Sequence, residues 1–345
     1  MNAIFLIKLL LYATKDQNVL RSPHALLQAV YDLRIASTQQ YLDWVSQQPN
    51  LQQFVIPDLD VNDRKYDDLS VINVGVNYAY GSVDQTLWGS AIHWINIYSK
   101  YDVDYIVTLV NQKFNELSNG EIAQFMNTTQ YDWYWYISLF SMVTFKPAWK
   151  YGLTGFFKMG FHVNEDLELT TTFMERTGLR LNYGKIEDFE AVELPLKNPD
   201  YNVLILLPMR GKNIDHYVRG MDTNRLLLIY SQMEQTNISV RIPRNTFEDW
   251  HYAKNIFLQS NLPKPFSESI FQPVKDQTAR PLNEIVQRLK VVFDTKVESD
   301  DQGLTETKKP ILFTANRPFW FLLVDRQLNI TLLIGQIIKP GKKIV

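Results

Sequence analysis

The sequence predicts a single large domain of the α+β class. Helical periodicity dominates the first part of the chain, short apolar runs punctuated by Gly, Asn and Pro dominate the later part, and no repeat of fixed period appears. At 345 residues a prior of ~150 residues per domain allows about two domains. Early helices and late strands, interleaved by a mixed segment, favour one.

The elements follow in chain order. Residues 2–13 are apolar and admit two readings. One is a helix with Phe5, Leu9 and Tyr12 on one face; the other is the core of a signal peptide, which lacks a basic start and is interrupted by Lys8. Apolar residues at three- and four-residue steps from Ala25 to Trp44 predict two helices split near Ser37 and Thr38. Residues 51–70 are polar and irregular, and 69–80 alternate as a strand. The stretch 86–126 reads as helix, broken at Leu117-Ser-Asn-Gly120. The aromatic, β-branched run Tyr131–Phe145 predicts a long buried strand. A base-stacking platform would need basic residues among those rings, and the first positive charge is Lys146. Strands are predicted at 167–174, 179–183, 191–196, 203–207, 238–242, 319–324 and 332–338, with helical patterns at 250–260 and 282–290.

Composition narrows the function. Lys plus Arg number 35 and Asp plus Glu 37, a net charge of −2 that lacks the basic footprint of nucleic-acid binding. The apolar runs fall short of the ~18–20 residues a bilayer span needs, so a soluble chain without membrane contact is expected. Cysteine is absent and the five histidines are dispersed, which leaves no thiolate or clustered-histidine metal site; no cofactor is called for. No phosphate loop, dinucleotide turn, nucleophile elbow or His-Glu-x-x-His motif occurs, and nothing points to an enzyme. Asn127, Asn237 and Asn329 head glycosylation sequons, but 24 Asn with 37 Ser plus Thr generate between two and three such triplets by chance.

Six segments in order carry a family resemblance: Asn18-Val-Leu-Arg-Ser-Pro23, Leu117-Ser-Asn-Gly-Glu-Ile122, Phe145-Lys-Pro-Ala-Trp149, Val192-Glu-Leu-Pro195 with Leu204-Ile-Leu-Leu-Pro208, Pro310 through Phe321, and Ile334-Gly-Gln-Ile-Ile-Lys-Pro340. Over about 320 residues the chain resembles the serpins. The resemblance implies three β-sheets, about eight helices and an exposed reactive loop that, in inhibitory members, is cleaved by a serine protease and inserts into the central sheet. It also implies an extracellular, monomeric protein.

Two departures from the family pattern point away from inhibition. The loop is expected after a strand ending near Gly303, leaving only Leu304, Thr305, Glu306, Thr307, Lys308 and Lys309 before Pro310. At ~3.3 Å per residue six residues span about 20 Å, and an inhibitory loop is about twelve residues longer. Lys308 is the candidate scissile residue, because a bond before Pro310 is cut poorly. The second departure concerns the polar cluster where the family's sheet parts, which the resemblance places at Ser22, Ala25, Ser141 and Phe293, with apolar groups at two of the four. The expected function is a non-inhibitory binding, carrier or regulatory module for a protease, another protein or a small ligand. The alternative is a serine-protease inhibitor acting through a loop or surface contact.

Overall fold

The computed structural model describes residues 17–33, 39–48, 68–78, 92–97, 102–132, 134–269, 271, 279–294, 309–328 and 330–340. The segments 1–16 and 49–67, the loop residues Gly303–Lys308 and the sequon at Asn329 lie outside them.

Helix α1 (Pro23–Asp32) begins where the sequence permits. Ser22 caps it by accepting from Ala25 N, Pro23 supplies a pre-set φ at the first turn, and Leu26, Leu27 and Val30 form its buried face. Helix α2 (Gln39–Ser46) buries Tyr41 and Val45, one turn apart, and the Tyr41 hydroxyl donates to Val30 O at 2.7 Å. Helix α3 (Val103–Leu117) is capped by Asp102 and ends where Asn119 and Gly120 take positive φ, 52° and 87°. The break expected at Leu117–Gly120 is this terminus. Four short helices follow: α4 (Asp215–Arg219), α5 (Thr223–Ser231), α6 (Lys254–Gln259) and α7 (Lys264–Ser267).

Fourteen strands form two sheets among the described residues: β1 (Val19–Arg21), β2 (Leu69–Tyr78), β3 (His93–Ile97), β4 (Ile137–Phe145), β5 (Gly155–His162), β6 (Glu168–Ile186), β7 (Phe189–Pro195), β8 (Tyr201–Pro208), β9 (Glu234–Pro243), β10 (Asn245–Tyr252), β11 (Glu284–Phe293), β12 (Ile311–Thr314), β13 (Phe319–Asp325) and β14 (Ile330–Ile337). A five-stranded sheet runs β10-β11-β4-β2-β3. The other nine strands run β1-β14-β13-β8-β7-β6-β9-β12, with β5 beside β6. The 19-residue β6 joins two halves of this second sheet: its C-terminal end pairs with β7 and its N-terminal end with β5. Hydrogen bonding thus merges into one sheet what the family pattern counts as two.

Four expectations are corrected. His93–Ile97 is a strand inside the stretch read as helix, its Trp94 and Ile97 buried on the sheet. The aromatic run contributes strand only from Ile137, leaving Tyr134 and Tyr136 exposed. The pattern at 282–290 is strand β11, and that at 250–260 divides into the end of β10 and α6. In β11 the residues Ile285, Leu289, Val291 and Phe293 lie two or four apart and are fully buried, and burial between two neighbouring strands overrode a spacing that also suits a helix.

Candidate functional site at the central seam

Strands β4 and β11 lie side by side and parallel in the middle of the five-stranded sheet, each with an antiparallel partner on its other edge. Eight registered pairs hold this seam, from Glu284 opposite Ser138 to Val291 opposite Phe145. The sequence accounts for it: β4 is buried at eight of its nine positions, so both its faces must be covered.

A row of polar side chains crosses the seam. Asn73 of β2 pairs with Ser141 of β4, Ser141 with Gln287 of β11, and Gln287 with His251 of β10. Directly paired residues share a face, and all four are buried. The N-terminus of α1 meets the row. Gln287 Oε1 accepts from Ser22 N at 3.0 Å, and its Nε2 donates to Ser22 O at 3.3 Å. The Ser22 hydroxyl donates to Leu332 O of β14 at 2.8 Å, so one residue links the helix, the seam and the second sheet. The row is incompletely paired: Ser141 Oγ, Asn73 Oδ1 and both ring nitrogens of His251 are buried without a hydrogen-bond partner among the described residues.

Charge enters two residues along β10. Asp249 accepts from Leu20 N at 2.9 Å and forms a buried ion pair with Arg21. Burial raises the Asp249 carboxyl above its usual range, opposed by Arg21. Burial, with the Arg21 charge adding to it, holds His251 well below the ordinary imidazole value, so His251 is neutral. Burial also lowers His24 of α1 to about 4. At the far end of the seam Glu284 is pushed up to about 7 by burial, although it accepts from Lys254 N and Ile285 N.

The outer face of the seam is covered by the chain that follows α3. Arg288 of β11 donates to Gln124 O and Phe125 O at 2.6 and 2.7 Å and pairs with Glu248 at 3.1 Å. The Tyr252 hydroxyl donates to Gln130 O at 3.0 Å. Phe125 stacks on Phe114 of α3 and meets Phe140 of β4 edge-on, so the covering segment touches both strands of the seam. A cleft of about 130 Å³ lies near the end of β4, between Leu69, Phe145, Leu196, Tyr201 and Leu323. It has room for one small ring, well below the ~300 Å³ of a typical ligand pocket.

Of the four residues expected at the parting point, Ser22 caps the turn that holds Ala25 and bonds Gln287, and Ser141 is registered opposite Gln287. Phe293 is elsewhere: it pairs with Asn245, and its ring meets Trp149, Phe247 and Phe321 at 5.8, 5.7 and 5.0 Å. Gln287 fills the position expected of Phe293, six residues earlier. Gln287 is one of four polar residues in β11, with Glu284, Arg288 and Lys290, and the one of them that is fully buried; a helical reading of 282–290 concealed its place opposite Ser141.

Strand β11 ends at Phe293 rather than near Gly303, and of the residues 294–310 between it and β12, 295–308 lie outside the described residues.

A family model described as Serpin (serine protease inhibitor) matches residues 96–340. An "FXa-directed anticoagulant" of Aedes aegypti is 24% identical over 232 residues, covering 66% of this chain and 56% of that protein. Serpin H1 of Gallus gallus is 22% identical over 204 residues, covering 57% and 50%. The chain thus spans about half the length of the curated relatives it matches. Among solved structures, serine protease inhibitor (serpin)-12 of Manduca sexta aligns with 99% of this chain and 98% of its own at a TM-score of 0.79 and 14% identity. The mouse protein-Z dependent protease inhibitor aligns over 98% and 95% at a TM-score of 0.80 and 15% identity.

Proposed function

Because the chain belongs to the serpin family, we propose that it is a secreted, non-inhibitory member that acts as a binding module through its surface. The observation that carries this reading is the charge pattern of residues 294–310 set against the closed seam. A strand inserted between β4 and β11 would send alternate side chains into the buried row. One alternate set of the loop holds Asp294, Lys296, Glu298, Asp300, Glu306 and Lys308, and the other holds Asp301 and Lys309. Whichever set faces inward, at least one carboxylate enters a site where Ser141, Asn73 and Gln287 are neutral and Arg21 is already paired with Asp249. An unpaired buried charge costs several kcal/mol. Insertion is disfavoured by side-chain chemistry.

A second reading, an inhibitor of a serine protease acting by reversible contact, is favoured by the likeness to the mosquito anticoagulants. Incubation with trypsin-, chymotrypsin- and elastase-like proteases, followed by a denaturing gel and a thermal melt, separates the possibilities. The proposed reading expects no complex that survives denaturation and no gain in melting temperature after cleavage at Lys308. Slowed turnover without a stable complex selects the second reading; a denaturation-resistant complex refutes both.

A further inference from the structure

We propose that Asn127 carries an N-linked glycan and that Asn237 does not. Asn127 is exposed on the turn that follows α3, ahead of a 3-10 helix at Thr128–Gln130. The Thr129 hydroxyl donates to Asn127 Oδ1 at 2.6 Å, and Thr129 N donates to the same oxygen at 3.1 Å. Gln130 Oε1 accepts from Asn127 N at 2.8 Å and fixes the turn. These bonds draw electron density toward the amide oxygen, which acidifies Nδ2, and no protein group occupies that nitrogen among the described residues. Attack by Nδ2 on the anomeric carbon of a diphosphate-linked oligosaccharide forms the N–C bond. The C–O bond to the diphosphate breaks, the leaving group takes the electron pair, and the amide proton passes to a base of the transferase.

The sequon at Asn237 sits inside the sheet. Asn237 is half-buried in β9 opposite Arg180 of β6, its Oδ1 is buried, and Ser239, the hydroxyl residue of that sequon, is 4% exposed and pairs with Leu312 of β12. A branched sugar has no room there once the strands pair.

The surroundings of Asn127 supply an independent reason for a glycan. Its turn is tied through Gln130 to Tyr252, and the Tyr252 ring meets Trp135 at 6.0 Å. Tyr134, Tyr136 and Tyr252 are exposed. An exposed aromatic ring beside the turn is an association hazard unless covered, and a bulky, solubilising glycan at Asn127 covers Tyr252.

The inference rests on the secretory location proposed above, and an added leader makes the two failures distinguishable. The full chain, carrying Asn329→Gln to silence the third sequon, is expressed behind a cleavable secretion leader in eukaryotic cells, recovered from the medium, and weighed before and after treatment with an amidase that releases N-glycans. One glycan lost in Asn127→Gln and retained in Asn237→Gln is the expected result. Secreted protein without a glycan, or a glycan that persists in Asn127→Gln, overturns the assignment. Release of the glycan is also expected to raise binding of an apolar dye; unchanged binding overturns the shielding role.

Discussion

Replacing Gln287 by Ala tests whether the seam is held from beneath. The substitution removes both hydrogen bonds to the main chain of Ser22, a residue with no exposed surface. Ser22 N is then buried without an acceptor, whereas Ser22 O still accepts from Leu26 N at 3.2 Å. The one orphaned group costs about 1–3 kcal/mol. Unfolding entropy of ~2.1 cal/mol/K per residue amounts to about 0.7 kcal/mol/K over the chain, so the melting temperature should fall by about 1–4 °C. Ser141→Ala, on the adjacent strand of the same row, should behave in the opposite way. It deletes a buried hydroxyl that has no partner and should be neutral or stabilising by about 1 kcal/mol. Scanning calorimetry of the two variants reads the difference, and hydrogen exchange at 138–145 and 284–291 localises it. A neutral Gln287→Ala, or a Ser141→Ala as damaging as Gln287→Ala, would refute the account of the row.

Three further outcomes follow from the same geometry. Arg21→Met leaves Asp249 as a buried carboxylate without its cation and should cost about 3–5 kcal/mol in urea unfolding, only part of it recovered in Arg21→Met/Asp249→Leu, because Leu20 N then loses its acceptor. His24 and His251 have folded-state pKa values below the ordinary 6.5 of the unfolded chain, so the unfolded state binds more protons below that pH. Their stabilisation is therefore complete above pH 6.5 and declines as pH falls, at up to ~1.4 kcal/mol per pH unit for each residue. Glu284, raised from 4.5 to about 7, works in the opposite sense between those values, so removing it with Glu284→Gln should steepen the acid decline in a pH series of melts. Finally, Glu298→Ala, Asp300→Ala, Asp301→Thr and Glu306→Ala combined should let the cleaved loop insert. The cleaved variant should melt at a higher temperature than the intact one, while the cleaved parent does not; no difference between them would remove charge as the obstacle.

The sequence carried the fold class because its longest signals are local. Ser22-Pro23 starts α1, Asn119 and Gly120 stop α3, and the closing strands β13 and β14 are apolar throughout their centres. It misled wherever a neighbour decided the conformation. Strand β11 has the composition of a half-buried helix until β4 and β10 cover its two edges, and Gln287 is meaningful only opposite Ser141 and His251. Such juxtaposition joins residues more than 30 positions apart and leaves no mark in a local window.

Two features of the seam reinforce each other in the non-inhibitory reading, and they act on different states. Gln287 and Ser22 stabilise the closed sheet by satisfying main-chain groups that opening would expose unpaired. The carboxylates of 294–310 destabilise the inserted sheet, because they must enter the row that Gln287 occupies. Removing only the first would loosen the seam without making insertion favourable, and removing only the second would let the cleaved loop insert at the cost of the Gln287–Ser22 bonds. Gln287→Ala and the four loop substitutions should therefore combine non-additively in the melting temperature of the cleaved protein, since both alter the groups that meet at one position. Strict additivity would place the loop elsewhere and separate the closed seam from the loss of inhibition.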